Sequence, residues 1–195
     1  MHKLERPTEP IELQEARSQY KGIPSQDEAW KKFNKDRVRE SLKNTQNGLC
    51  AYCEIKLSDE THIDHFKPKK LNYRLTFDWD NLVLSCDAKD SCDSKKGGKF
   101  EEYWVNPYLT DPADMFRFYS DGQIVGTTEE ANKIIEDFGL DSPRLEKKRE
   151  AILTRLKQTI LALDSEPEAL AYFLQEKAEM FPTAYKQIID KISGK

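Results

Sequence analysis

The stretch from Cys50 to Gly97 constrains this chain more than any other. It sets Cys50-Ala51-Tyr52-Cys53 ahead of His62-Ile63-Asp64-His65-Phe66-Lys67-Pro68, then Asn81-Leu82, Cys86 and Cys92-Asp93-Ser94-Lys95-Lys96-Gly97. All four cysteines of the 195 residues lie inside it. Cys50 and Cys53 have the two-residue gap that lets neighbouring thiolates face one ion. Cys86 and Cys92 are wider apart, with Asp87 to Ser91 between them. Four thiolates close a tetrahedral zinc shell with no open position, which is the mark of a structural site. Such a site pins a small unit that buries too little apolar area to hold itself together. Disulfides belong to oxidising compartments. The opening Met1 to Pro7 is charged and lacks the apolar stretch of a secretory signal, and no apolar run reaches the length of a membrane span. The expectation is therefore a cytoplasmic chain whose cysteines hold zinc.

The expected fold is α+β and mostly α. A zinc-stabilised ββα unit is flanked by an N-terminal helical arm, C-terminal helices and a β-hairpin. Residues 1–48 read as an extended arm and a helix, the arm being marked by Pro7, Pro10 and Pro24. Ser25-Gln26-Asp27-Glu28 has the form of a capping box, so one helix is expected from about Asp27 to Thr45, closed by Asn47-Gly48. Residues 49–100 hold the ββα unit. Its strands are Thr61 to His65 and Leu82 to Leu84, its helix follows Cys92, and Tyr73, Phe77 and Trp79 plug a long loop. Residues 101–195 hold a hairpin over Phe116 to Val125, turning at Asp121-Gly122, and then helices. Ser142-Pro143 opens one of these, with a stripe at Leu145, Arg149, Ile152, Leu156, Ile160 and Leu163. Ser165-Glu166-Pro167-Glu168 caps the next, with Leu170, Phe173 and Leu174, and Pro182 begins the last, with Tyr185, Ile188, Ile189 and Ile192. The three segments are expected to pack as one compact domain.

Asp64-His65 at a strand end, just before Phe66 and Pro68, has the residue types of metal-assisted phosphodiester hydrolysis. A neutral imidazole takes a proton from an attacking water. A carboxylate holds a hard divalent ion at the scissile phosphate. A His-Asp pair standing alone is more often a surface ion pair; set between two thiol pairs, it reads as chemistry. His62 shares a strand face with Asp64. It reads either as a contact to metal or phosphate, or as an exposed imidazole. Lys67, Lys69, Lys70 and Arg74 are candidate phosphate contacts. The bland reading of any one of them is a solvated loop.

These motifs resemble the HNH endonuclease family, which has a ββα-metal fold and cuts nucleic acids. On that resemblance Asp64 matches the first metal ligand and His65 the general base. Asn81 matches the middle asparagine that ties the loop. Asp93 falls where a second ligand, commonly His or Asn, would stand, and Lys96 where a phosphate-contacting lysine follows. The implied cofactors are structural zinc and a catalytic magnesium or manganese. Gly48 to Glu54, His62 to Lys69, Asp78 to Leu82 and Cys92 to Gly97 further resemble the PtuB-like HNH subunit of Septu and retron-associated antiphage systems. So do Val105-Asn106-Pro107-Tyr108, the Asp121-Gly122 hairpin, Gly139-Leu140-Asp141 with Arg149, and the opening Met1 to Pro10. The likeness implies a PtuA-like ABC-type ATPase partner. In retron versions it also implies a reverse transcriptase and its RNA–DNA product.

Net charge is -4. Nucleases that grip nucleic acid alone are usually basic. Residues 62–100 carry eight Lys or Arg against six Asp or Glu, whereas residues 101–195 are net acidic. Contact with nucleic acid is therefore local, or a partner supplies much of the grip. The leading expectation is a metal-dependent endonuclease acting as the DNA-cutting effector of a defence complex. The alternatives are an effector that cuts RNA, including transfer RNA, and a zinc-stabilised binding module without turnover. Asp64, His65, Asn81 and Asp93 occurring together separate the last from the first two.

Overall fold

Leu82-Val83-Leu84 is an unbroken apolar run, as expected of a strand covered on both sides. In the computed structural model all three are fully buried. They belong to β2 (Leu82–Ser85), which pairs antiparallel with β1 (His62–His65), His62 opposite Ser85 and His65 opposite Leu82. Helix α4 (Cys92–Lys96) follows and stops at Gly97, whose φ of 59° suits a residue without a Cβ. The ββα order is as expected. The structure describes residues 1–23, 26–59, 61–164, 168 and 179–192.

The N-terminal segment departs from the extended arm. Residues Ile11–Gln19 form helix α1, with Pro10 at its start and Leu13 and Ala16 buried. Two apolar anchors one turn apart are too few to register as periodicity, which is why the helix is silent in the sequence. Around it the arm is tied down. The Arg6 guanidinium donates to the carbonyls of Leu82 and Asp80 at 2.8 and 3.0 Å and lies 3.5 Å over the Tyr108 ring.

The single helix expected from Asp27 to Thr45 is two, α2 (Gln26–Lys32) and α3 (Asp36–Thr45). The side chain of Asn34 accepts from the Asp36 N–H at 2.9 Å and restarts the chain. Phe33 turns inward onto Trp30 and Phe77. Asn47 and Gly48, both left-handed, end α3 as expected. The loop between β1 and β2 contains two 3-10 turns, Tyr73–Leu75 and Trp79–Asn81. Phe77 and Trp79 plug it, but Tyr73 stays 36% exposed. The capping residue Ser25 lies outside the described residues, as do Ser165 to Pro167, Leu170, Phe173 and Leu174.

Strands β3 (Phe116–Phe118) and β4 (Ile124–Gly126) form the expected hairpin. Gly122 has φ 87°, and a Cβ there would meet the Glu146 carbonyl oxygen at 2.1 Å, so the turn sits directly on the next long helix. Helix α5 (Glu129–Phe138) is not among the expected elements. Its signals are nonetheless present. Thr128 caps it by accepting from the Ala131 N–H at 3.2 Å, and Ala131, Ile134, Ile135 and Phe138 keep helical spacing. Helix α6 (Pro143–Leu163) buries Leu145, Arg149, Leu153, Leu156 and Ile160, so the stripe runs through Leu153 rather than Ile152. Arg149 is buried because it serves the fold. It donates to the carbonyls of Gly122 and Leu140 at 2.7 and 2.9 Å, clasping the hairpin turn to the end of α5. Helix α7 (Pro182–Ile192) closes the described chain.

Buried apolar side chains form one continuous cluster from Met1 to Ile188. No helix among the described residues is long and apolar enough to cross a membrane.

Candidate active site

The four cysteines converge. Cys50 and Cys92 sulfurs lie 3.7 Å apart, Cys53 and Cys86 sulfurs 3.8 Å, and all four within 4.8 Å of one another. A tetrahedron with metal–sulfur bonds of about 2.3 Å has edges of about 3.8 Å, so these two pairs stand at the spacing a zinc-sized ion demands and the other separations come within an ångström or so of it. All are buried, and none forms a disulfide. The Cys86 N–H points at the Cys50 sulfur at 3.4 Å, a donor suited to a thiolate. This cluster can hold a metal such as zinc.

The wide gap between Cys86 and Cys92 also has a physical reason. Its loop is gripped from α6: Arg144 donates to both carboxylate oxygens of Asp90, at 3.1 and 3.2 Å, and to the Ser91 hydroxyl at 2.8 Å. Gly139 lets the loop approach, since a Cβ there would sit 2.4 Å from the Asp90 carbonyl oxygen.

The acidic pair lies next to the thiols. Asp64 is 6% exposed. Its Oδ2 accepts from the Tyr52 hydroxyl at 2.5 Å and its Oδ1 from the Lys96 ammonium at 3.0 Å. Burial pushes its carboxyl up to about 7; Lys96 opposes this and nearby Asp93 adds to it. Asp93 is half-buried, and its backbone N–H donates to the Ser85 hydroxyl at 3.2 Å. His62, 57% exposed, brings Nδ1 to 3.6 Å from Asp93 Oδ2. Two carboxylates with an imidazole at the rim make an oxygen-rich donor set that suits a magnesium-like ion, which is held by one or two carboxylates with substrate phosphate and water completing the shell. Among the described residues only the cysteines gather three or more ligands, so this second site is a pair and not a cage.

His65 is 8% exposed and packs edge-on against Trp30, ring centroids 4.8 Å apart. Its Nε2 lies 3.0 Å from the Thr76 carbonyl oxygen. A carbonyl only accepts, so Nε2 carries the proton and the neutral ring leaves its lone pair on Nδ1. Burial holds the imidazole down to about 4, and it is therefore neutral at physiological pH.

Asn81 ties the loop. Its Oδ1 accepts from the Lys67 N–H at 2.7 Å, and its Nδ2 donates to the carbonyls of Lys67 and Leu75 at 2.8 and 3.3 Å. Asn81→Ala leaves one donor and two acceptors without partners in a 5% exposed site. The expected loss is about 2–3 kcal/mol of unfolding free energy by urea titration. Asn81→Asp, which keeps only the acceptor, should do little better.

Lys96 differs from expectation. A phosphate-contacting lysine would project outward, but this one is 1% exposed, with its ammonium spent on Asp64, the His65 carbonyl at 2.8 Å and the Phe66 carbonyl at 3.4 Å. Lys67 and Lys70 are exposed, Lys67 lying 4.6 Å over the Phe100 ring. Lys69 is paired with Asp27 at 3.0 Å. Lys69 and Lys70 line a pocket of about 490 Å³ with Asp27, Asn72, Tyr73 and Thr76. Sequence reasoning missed Tyr52, Trp30 and Thr76. A tyrosine between two cysteines gives no sign of which carboxylate it meets, and a backbone carbonyl gives no sign at all.

Residues 50–99 match the family model for HNH endonuclease. The Septu protein PtuB of Bacillus thuringiensis is 28% identical over 124 residues, 60% of this chain and 46% of that protein. The protein named "Retron Vc95 putative HNH endonuclease", from Vibrio cholerae serotype O1 biovar El Tor, is 31% identical over 134 residues, 61% of this chain and 64% of its own length. The Septu protein PtuB of Bacillus mycoides (strain KBAB4) is 28% identical over 123 residues, 47% of this chain and 42% of that protein. The chain thus spans about half the length of the curated relatives it matches. The matched segment is the one that builds the ββα unit around the thiol cluster, and with it this chain carries an HNH endonuclease domain.

Proposed function

We propose that this protein is a metal-dependent endonuclease that hydrolyses phosphodiester bonds, working as the DNA-cutting effector of an antiphage defence complex. The observation that carries the reading is His65, a buried neutral imidazole whose Nε2 is committed to the Thr76 carbonyl and whose Nδ1 keeps a free lone pair. In this reading His65 takes the proton of the attacking water at Nδ1. The Thr76 carbonyl faces the Nε2 proton and favours the imidazolium that forms. Asp64 and Asp93 hold a magnesium or manganese ion, which when bound offsets charge on the phosphate and the leaving oxygen. Asn81 keeps Lys67 and its loop in place beside the strand end, and Lys96 balances the buried Asp64. Zinc fills the thiol cluster. His62, Lys67, Lys69 and Lys70 face the nucleic acid.

The relatives' names support a place in a Septu- or retron-type system. We assign the chain an ABC-type ATPase partner of the PtuA kind and, in a retron setting, a reverse transcriptase with its RNA–DNA product. An overall charge of -4 fits a nuclease whose partner supplies much of the grip.

The test is cleavage of supercoiled DNA and of transfer RNA in parallel, with manganese or magnesium and with EDTA, by the chain alone and with its co-expressed ATPase. Metal-dependent cutting of DNA is expected. Cutting of RNA alone would move the substrate and leave the enzyme standing. No cutting of either polymer in any arm would favour the non-catalytic module, a reading that draws on Asp64 already having a donor on each oxygen.

A further inference from the structure

Both carboxylates of the acidic pair are tied to thiol-bearing segments. Asp93 follows Cys92 directly, and its backbone N–H is bonded to Ser85, the residue before Cys86. Asp64 is eleven residues from the nearest thiol in sequence, yet it is reached by Tyr52, which sits between Cys50 and Cys53. Tyr52 is fully buried, its ring lies 4.8 Å from the Phe138 ring, and its neighbour Ala51 donates to the Leu84 carbonyl at 3.0 Å. The thiol pair, β2 and α5 thus fix where the hydroxyl points.

We propose that Tyr52 is a positioning residue that joins the thiol cluster to the catalytic ion site, by holding Oδ2 of Asp64 while Lys96 holds Oδ1. The inference rests on the reading that Asp64 and Asp93 hold a divalent ion. Two donors from two elements, one on each oxygen, fix the rotation of the carboxylate. An ionised carboxylate oxygen has two lone-pair directions, so one on each oxygen remains for an ion. Lys96 alone does not do this. Its ammonium is anchored by the His65 and Phe66 carbonyls, and without the tyrosine hydroxyl either Asp64 oxygen is free to turn onto it. The carboxylate would then face the lysine instead of the ion. Partners behind a metal ligand are typically worth about 10–100-fold in metal affinity or activity.

The experiment titrates manganese alone into the zinc-loaded 195-residue chain, reading free manganese by electron paramagnetic resonance, with zinc content and thermal unfolding measured on the same samples. Tyr52→Phe keeps the ring on Phe138 and removes only the hydroxyl. It is expected to keep zinc and fold and to weaken manganese binding about tenfold or more. Asp64→Asn is expected to abolish binding. Wild-type manganese affinity in Tyr52→Phe, with binding lost in Asp64→Asn, overturns the proposal and leaves the ion site standing. Wild-type affinity in Asp64→Asn overturns the ion site itself, and the proposal with it. Loss of zinc together with manganese in Tyr52→Phe also overturns it, because the tyrosine would then serve the thiol cluster alone.

Discussion

Depriving the four-thiol cluster of the zinc it could hold is expected to unfold the segment from Leu49 to Phe100. Cys50, Cys53, Cys86 and Cys92 are buried within 4.8 Å of one another, and what they hold together is slight. Strands β1 and β2 have four residues each and α4 has five. A two-stranded ribbon and a single helical turn are marginal on their own. Structural zinc contributes about 10–16 kcal/mol in small metal-folded units. A typical domain is stable by about 5–15 kcal/mol, so the loss is of the order of the whole. Burial also pushes the Cys53 and Cys92 thiols up, whereas hydrogen bonds from the other thiols hold Cys86 down. Chelation, or Cys50→Ser, should release about one equivalent of zinc, collapse the near-ultraviolet circular dichroism and open the β1 and β2 amides to hydrogen exchange. A chelated protein with unchanged exchange in β2 would show that the apolar core around Leu82, Val83 and Leu84 suffices.

Much of the site could be read from residue order because the chemistry is local. Asp64-His65 stand side by side, the thiols bracket them, and Asn81 immediately precedes β2. What could not be read was built by contacts distant in sequence. Arg144 explains the long Cys86–Cys92 gap from 54 residues away. Tyr52 and Lys96 reach Asp64 across 12 and 32 residues. Lys96 shows why residue type alone misleads. Its place in the motif reads as a phosphate contact, but α4 turns it inward, where it neutralises a buried carboxylate. The elements follow the same logic. β2 was visible as an apolar run and the hairpin as Asp-Gly. Helix α1 was hidden because its packing rests on two small contacts, and the break between α2 and α3 because it depends on one asparagine side chain.

The second large effect is expected from His65→Ala. The imidazole's Nδ1 is the one free nitrogen of a ring otherwise fixed by Trp30 and the Thr76 carbonyl. General-base catalysis by a placed side chain supplies about 10²–10⁴-fold, and the variant should lose turnover on this scale. The cost to the fold is smaller. It is one ring contact with Trp30 and one hydrogen bond to Thr76, or about 1–3 kcal/mol by urea unfolding. Zinc content and manganese affinity should hold, because His65 touches neither the thiols nor a carboxylate. Imidazole added to the buffer should restore part of the rate, since the substitution leaves a ring-shaped space beside Trp30. The substitution therefore separates turnover from binding, a split that neither Asp64→Asn nor zinc removal produces. If His65→Ala cuts at the wild-type rate in a preparation whose EDTA control is silent, then another group takes the proton from the water. His62, exposed on the same strand and facing Asp93, would be the next to replace.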